Sequence, residues 1–258
     1  MSTIADAGDC FACASKLCRF AQTDALHARR RMFELNRGDQ VETCRGGCVK
    51  LWTIISGTAA ISSNLRDGRR QISGIEYAGS TICGPMAHED SPIWIEALEP
   101  TRICEVDLSD RMGALQKDPE FMQVLFGLIH KRLEATTRHL TTLGRLDSTE
   151  RVMLFLAETA EATPGHGPVT LPMNREEIAD YLGLNAETVS RIFSKLRKSG
   201  LFKFLSPTEF VVVNREAVAR RLPVSIARRP TATLPRSAAG TSPEPVGCPV
   251  PHHTETAS

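Results

Sequence analysis

Residues Met173 to Arg191 most constrain how this chain folds, because they read as two short helices joined by a glycine. Asn174 and Asn185 suit the position before each helix, where a short side-chain oxygen can accept from the first unpaired backbone N–H groups. Glu177, three positions after Asn174, can reach back and complete a capping box. Gly183 takes the turn. On the second helix Val189, Ile192, Phe193 and Leu196 share one side, while Glu187, Ser190, Arg191 and Ser194 fall at i, i+3, i+4 and i+7 on the other. The first side demands a core and the second faces outward.

The outward side carries the chemistry of a major-groove reader. Arg191 can donate two hydrogen bonds to guanine, Glu187 can accept from a cytosine amine, and Ser190 can serve several bases. Lys195, Arg197 and Lys198 follow, placed for phosphates, which position a protein without reading sequence. A plain helical hairpin with solvated charges would need neither both caps nor a two-sided second helix. Beyond Gly200, the segments 201–205 and 209–213 flank Ser206-Pro207-Thr208 as a β-hairpin, the wing of a winged helix-turn-helix over 147–222.

The rest of the chain is bounded by length and charge. At 258 residues and 41% hydrophobic it can bury one or two cores, its length favours two domains, and a net charge of +1 means that its basic groups must act locally. No apolar run reaches membrane-spanning length, and the first twenty residues carry Asp6, Asp9 and three cysteines in place of a signal-peptide core. A cytoplasmic protein with no membrane partner is expected. Gly46, Gly57, Gly68 and Gly79 recur every eleven residues between β-rich segments, which suggests an all-β roll over 23–117. A long helix over 118–146 follows, in which Met122, Phe126, Ile129, Leu133, Thr136, Leu140 and Leu143 alternate spacings of four and three. Ile129, Leu133, Thr136 and Leu140 form the centre of a homodimer seam in this reading, with Thr136 its polar exception. From 223 to 258 Pro, Ser, Thr, Ala and Arg dominate, and a disordered tail is expected, with Cys248, His252 and His253 as tail residues.

Cys10, Cys13 and Cys18 cluster in the first 22 residues. In a reducing compartment such thiols bind metal more often than they form disulfides. Zinc and an iron-sulfur cubane both remain open, the latter wanting four thiolates with one of them often distant. Cys104 is the best remote candidate, and Cys44, Cys48 and Cys83 compete with it.

The order of cysteine cluster, glycine-punctuated roll, long helix and winged helix resembles the CRP/FNR family, and its oxygen-sensing FNR branch in detail. The resemblance covers about residues 10 to 222 and rests on 51–58, 75–80, 97–106 and 180–191. It implies an α+β architecture: an N-terminal double-stranded β-helix (jelly roll) sensor domain, a long dimerisation helix and a C-terminal winged helix-turn-helix. It further implies a TTGAT-like half-site in double-stranded DNA read by Glu187, Ser190 and Arg191. A 4Fe-4S cluster on Cys10, Cys13, Cys18 and Cys104, lost with oxygen, also follows from the resemblance, as does contact with RNA polymerase through the Asn64 to Arg70 hairpin. The gap between Cys13 and Cys18 is shorter than usual in that branch. The cyclic-nucleotide branch fits less well, because 84–94 has no arginine for a phosphate. The alternative is a family regulator of another signal without an oxygen-labile cubane: a haem-bound gas, with Cys83, His27, His88 or His130 as axial ligands, nitric oxide, or thiol redox state. No nucleophile constellation or nucleotide loop suggests an enzyme.

Overall fold

Alternation of inward and outward side chains along short strands builds two antiparallel sheets that close over one another. The computed structural model describes residues 2–3, 30–43, 49–84, 93–109, 112–163 and 167–227. Cys10, Cys13, Cys18, Cys44, Cys48, Cys248, His27, His88, His252, His253 and Gly46 lie outside the described residues. The strands are β1 (Ser2–Thr3), β2 (Arg30–Leu35), β3 (Gln40–Glu42), β4 (Lys50–Ser56), β5 (Thr58–Asn64), β6 (Arg70–Tyr77), β7 (Thr81–Cys83), β8 (Ile93–Ala97) and β9 (Thr101–Asp107). One sheet runs β1-β2-β9-β4-β7 and the other β3-β8-β5-β6: an all-β roll, as the glycine spacing suggests, with the jelly-roll arrangement that the family resemblance implies.

Phe33, Trp52, Ile54, Ile61, Ile95 and Ile103 fill the space between the sheets. The indole Nε1 of Trp52 donates to Glu105 at 3.0 Å, and Lys50 pairs with the same carboxylate at 3.2 Å, so this interior charge is satisfied. Residues one step along each strand point the other way. Met32, Leu51, Cys104 and Val106 therefore leave the first sheet on its outer face and form a second apolar layer.

A short helix α1 (Met112–Leu115) leads to α2 (Pro119–Arg145), whose start is fixed by Pro119 and by the Asp118 carboxylate accepting from the N–H groups of Glu120 and Phe121. Phe121 and Leu125 press into the outer layer beside Cys104. Farther along, Phe126, Ile129, Leu133 and Leu140 are 62%, 47%, 62% and 69% exposed, and Thr136 is exposed as well. These residues leave an apolar stripe, interrupted by Thr136, exposed along a helix of roughly 40 Å. No described helix is long and apolar enough to cross a membrane.

After Leu146, α3 (Ser148–Ala162) opens with an Asp147–Glu150 capping box. There follow β10 (Val169–Thr170), α4 (Arg175–Leu182), α5 (Ala186–Lys198), β11 (Phe202–Phe204), β12 (Glu209–Val212) and α6 (Arg215–Arg221). Leu156, Ile178, Leu182, Val189, Ile192, Phe193, Leu196 and Phe210 make their common core. At the junction with α2, Arg151 donates to the carbonyls of Leu143, Leu146 and Leu182 at 2.6, 3.0 and 3.0 Å. The expected disordered tail is corrected at its start: the chain is described to residue 227, and Val224 and Ile226 pack against the winged-helix core because both are apolar and follow directly on α6.

Gly57 and Gly68 both adopt left-handed backbone, with φ of 83° and 85°. They differ in surroundings. A Cβ at Gly57 would lie 2.5 Å from the Pro100 carbonyl oxygen, whereas nothing lies within 4 Å of one at Gly68. Gly68→Ala should therefore cost about 1 kcal/mol from backbone strain alone, and Gly57→Ala roughly 3 kcal/mol or more, as read from denaturant midpoints. Equal losses would contradict the close approach at Gly57.

Candidate nucleic-acid interface

Local capping positions the two reading helices. Asn174 accepts from Glu177 N at 2.9 Å while the Glu177 carboxylate accepts from Asn174 N at 2.7 Å, so the start of α4 is held by a reciprocal pair. Gly183 ends α4 at φ 62° and ψ 41°, and its own N–H bonds to Ala179 O. Asn185 then caps α5 by accepting from Thr188 N at 2.7 Å. Both caps and the turn stand where the residue types placed them. Val189, Ile192, Phe193 and Leu196 are buried beneath α5, which leaves Glu187, Ser190, Arg191 and Ser194 on the open face.

Glu187 and Arg191 face one another across a turn at 3.4 Å, both largely exposed. Such a pair contributes at most about 1 kcal/mol, so either side chain can leave it for a base edge. The Ser190 and Ser194 hydroxyls donate to the carbonyls one turn back, at 2.9 and 3.1 Å, and can rotate outward. Lys195, Arg197 and Lys198 are exposed on the last turn, where positive charge also suits the helix dipole.

One residue at this face was not among the sequence candidates. Arg175, the first residue of α4, stacks its guanidinium 3.7 Å over the Phe193 ring and donates to Pro207 O of the wing at 2.8 Å. It lines a cleft of about 420 Å³ with Ser190, Ser194, Arg197, Phe204 and Pro207. Burial, followed by repulsion from Arg197, lowers its pKa from the usual guanidinium value. Two arginines and two hydroxyls in one cleft can take a phosphate, which would relieve that repulsion. An arginine directly after the Asn174 cap was the available signal. The wing also has a third strand, β10, giving the order β10-β12-β11.

Of the four candidate cluster ligands, Cys104 alone lies among the described residues. Cys104 is 4% exposed on β9, opposite Met32 on one side and Thr53 on the other. Cys10, Cys13 and Cys18 lie outside the described residues, and among those described no group of three His, Cys, Asp or Glu residues could hold a metal ion. Cys83 lies half-buried on β7 against the same outer layer, and burial pushes its thiol pKa up. His130 is exposed on α2. The stretch 85–92, which bears on cyclic-nucleotide binding, is outside the described residues.

The Crp-like helix-turn-helix domain matches residues 150–221. A probable transcriptional activator of Rhizobium leguminosarum bv. viciae is 30% identical over 233 residues, covering 84% of this chain and 95% of that protein. The nitrogen fixation regulation protein FixK of Azorhizobium caulinodans is 32% identical over 203 residues, covering 77% of this chain and 78% of that protein. The solved structure of FixK2 from Bradyrhizobium japonicum superposes with a TM-score of 0.66 at 28% identity, covering 77% of this chain and 99% of that one. With its β-roll, its long helix and its winged helix-turn-helix, the chain belongs to the CRP/FNR family of transcription regulators.

Proposed function

We propose that this regulator binds a TTGAT-like palindrome as a homodimer and responds to oxygen through a 4Fe-4S cluster. The observation that carries the DNA reading is the open Glu187, Ser190 and Arg191 face on a helix whose other side is buried. Arg191 contacts guanine, Glu187 a cytosine amine, and Ser190 a neighbouring base. Lys195, Arg197, Lys198 and Arg175 hold phosphates. The exposed stripe from Phe126 to Leu140 pairs with its copy, since two symmetric readers match a two-fold site. The hairpin around Leu65, which is exposed at its tip, contacts RNA polymerase, and the protein acts in the cytoplasm.

Cys10, Cys13, Cys18 and Cys104 would hold the cluster. Cys104 fits as one soft ligand: its thiol lies in an apolar layer where a lone thiolate would be poorly solvated but a metal-bound one is compensated. When bound, the cluster supplies an oxygen-labile tie between the N-terminal segment and β9. Cys104 shares its layer with Phe121 and Leu125, so a displacement at the thiol reaches α2 through packing. The enclosure of Cys104 among apolar side chains also favours a second reading, in which it is a packing residue and the regulator senses another signal, such as a haem-bound gas, nitric oxide or thiol redox state.

Three experiments test these roles. Arg191→Ala should lose about 1–3 kcal/mol on the palindrome and relax selectivity at one base pair, whereas Lys198→Ala should weaken all sequences alike and flatten the salt dependence. Titrations against substituted palindromes decide; unchanged sequence preference in Arg191→Ala contradicts the assignment. Leu140→Glu buries an unpaired charge in the seam, and sedimentation should show monomers while circular dichroism shows an intact fold. A variant that stays dimeric puts the seam elsewhere. Iron and sulfide analysis of oxygen-free preparations should show loss of cluster in Cys10→Ser, Cys13→Ser, Cys18→Ser and Cys104→Ser, because alcohol oxygens replace thiolates poorly. Serine at Cys44, Cys48, Cys83 or Cys248 should leave it in place. Wild type without acid-labile sulfide, with or without iron, selects the second reading.

A further inference from the structure

Two arginines of the β-roll reach across to the first helix of the reader. Arg37, in the turn between β2 and β3, donates through Nη2 to both Glu177 oxygens at 2.8 and 2.6 Å. Its Nη1 donates to Pro172 O at 2.8 Å and also to Leu98 O. Arg70, the first residue of β6, donates through Nε to Asp180 at 2.8 Å and through Nη1 to Glu96 at 2.7 and 2.9 Å. Gln71 adds a bond to Asp180 O at 2.8 Å. Glu177 and Asp180 are three residues apart on α4 and therefore share one face, which is turned to the roll.

The charges in this contact are well compensated. The Glu177 and Glu96 side chains are nearly buried, and each keeps an arginine and at least one further donor. Such charge-assisted bonds fix geometry more firmly than an exposed pair, because a broken one leaves a buried carboxylate uncompensated. The same β6 is tied to α2 through Arg132 and Glu76 at 3.0 Å. The roll thus grips both the helix that carries the dimer stripe and the helix that supports α5. The reading face of α5 stays open in this pose, so the contact orients the reader without covering it.

We infer that Arg37 and Arg70 are positioning residues for DNA recognition: they fix the reader relative to α2 and so set the half-site spacing that the dimer accepts. The inference rests on the two-fold DNA reading proposed above. The full chain, prepared without oxygen, is first used to select its site from random duplexes. Binding is then measured to that site, to versions one base pair longer or shorter between half-sites, and to versions with single half-site bases changed. Wild type should lose about tenfold for each change of spacing, whereas Arg37→Ala/Arg70→Ala should lose only about twofold and keep its base discrimination. Asp180→Ala, which removes the partner of Arg70 from the reader side, should relax spacing in the same way, and Arg37→Lys should restore part of it. Circular dichroism confirms that each variant is folded. Unchanged spacing preference in folded Arg70→Ala, Asp180→Ala and the double variant overturns the inference at any affinity, as does base discrimination lost together with spacing. If wild type selects no two-fold site, the palindrome reading itself fails and the positioning role falls with it.

Discussion

The Arg151 guanidinium anchors the winged helix to the end of α2, and the contacts that Arg37 and Arg70 make from the roll act on that joint. The three acceptors of Arg151, the carbonyls of Leu143, Leu146 and Leu182, belong to the ends of α2 and α4. Carbonyls at helix ends lack intrahelical partners, so one cation there satisfies groups that would otherwise need water. The consequence is geometric: the end of the helix bearing the exposed apolar stripe and the glycine turn of the reader share an anchor. The His139 ring on α2 stacks on Tyr181 of α4 with 4.3 Å between centroids, which adds an apolar contact beside the polar one.

Within the β-roll the division of labour follows from strand periodicity. Inward residues such as Trp52 and Ile103 hold the roll together, and their outward neighbours Leu51 and Cys104 seat α2. One strand therefore touches both the core and the helix that leads to the reader. A regulator needs such an element if a local event is to shift an equilibrium elsewhere, since a signal can bias two states only through contacts that differ between them. The net charge of +1 gives no general attraction to DNA. Local positive charge is concentrated instead at the basic end of α5 and at Arg175, where the open face of α5 meets the wing.

The reader was legible in the sequence because its signals are local. Asn174, Glu177, Gly183 and Asn185 act on backbone groups within a few residues, so their types nearly dictate their positions. The strands between the glycines were legible for the same reason. β3 and β7, three residues each, are too short to show a period, and β2, Arg-Arg-Met-Phe-Glu-Leu, alternates only in its second half. Arg175 was passed over because its value lies in Phe193 and Pro207, distant in the chain. Arg37 and Arg70 were hidden likewise, since exposed-looking arginines in turns reveal nothing of carboxylates more than a hundred residues away.

Oxygen control of DNA binding through the proposed cluster is what the proposed function stands or falls on. It is tested most directly by preparing the full chain without oxygen, recording its visible absorbance, titrating it onto the selected palindrome, and repeating both after admitting air. An oxygen-labile cluster should give a broad iron-sulfur absorption and tight, sequence-selective binding before air, with both falling together afterwards. A colourless protein that binds the palindrome equally well before and after air would contradict it.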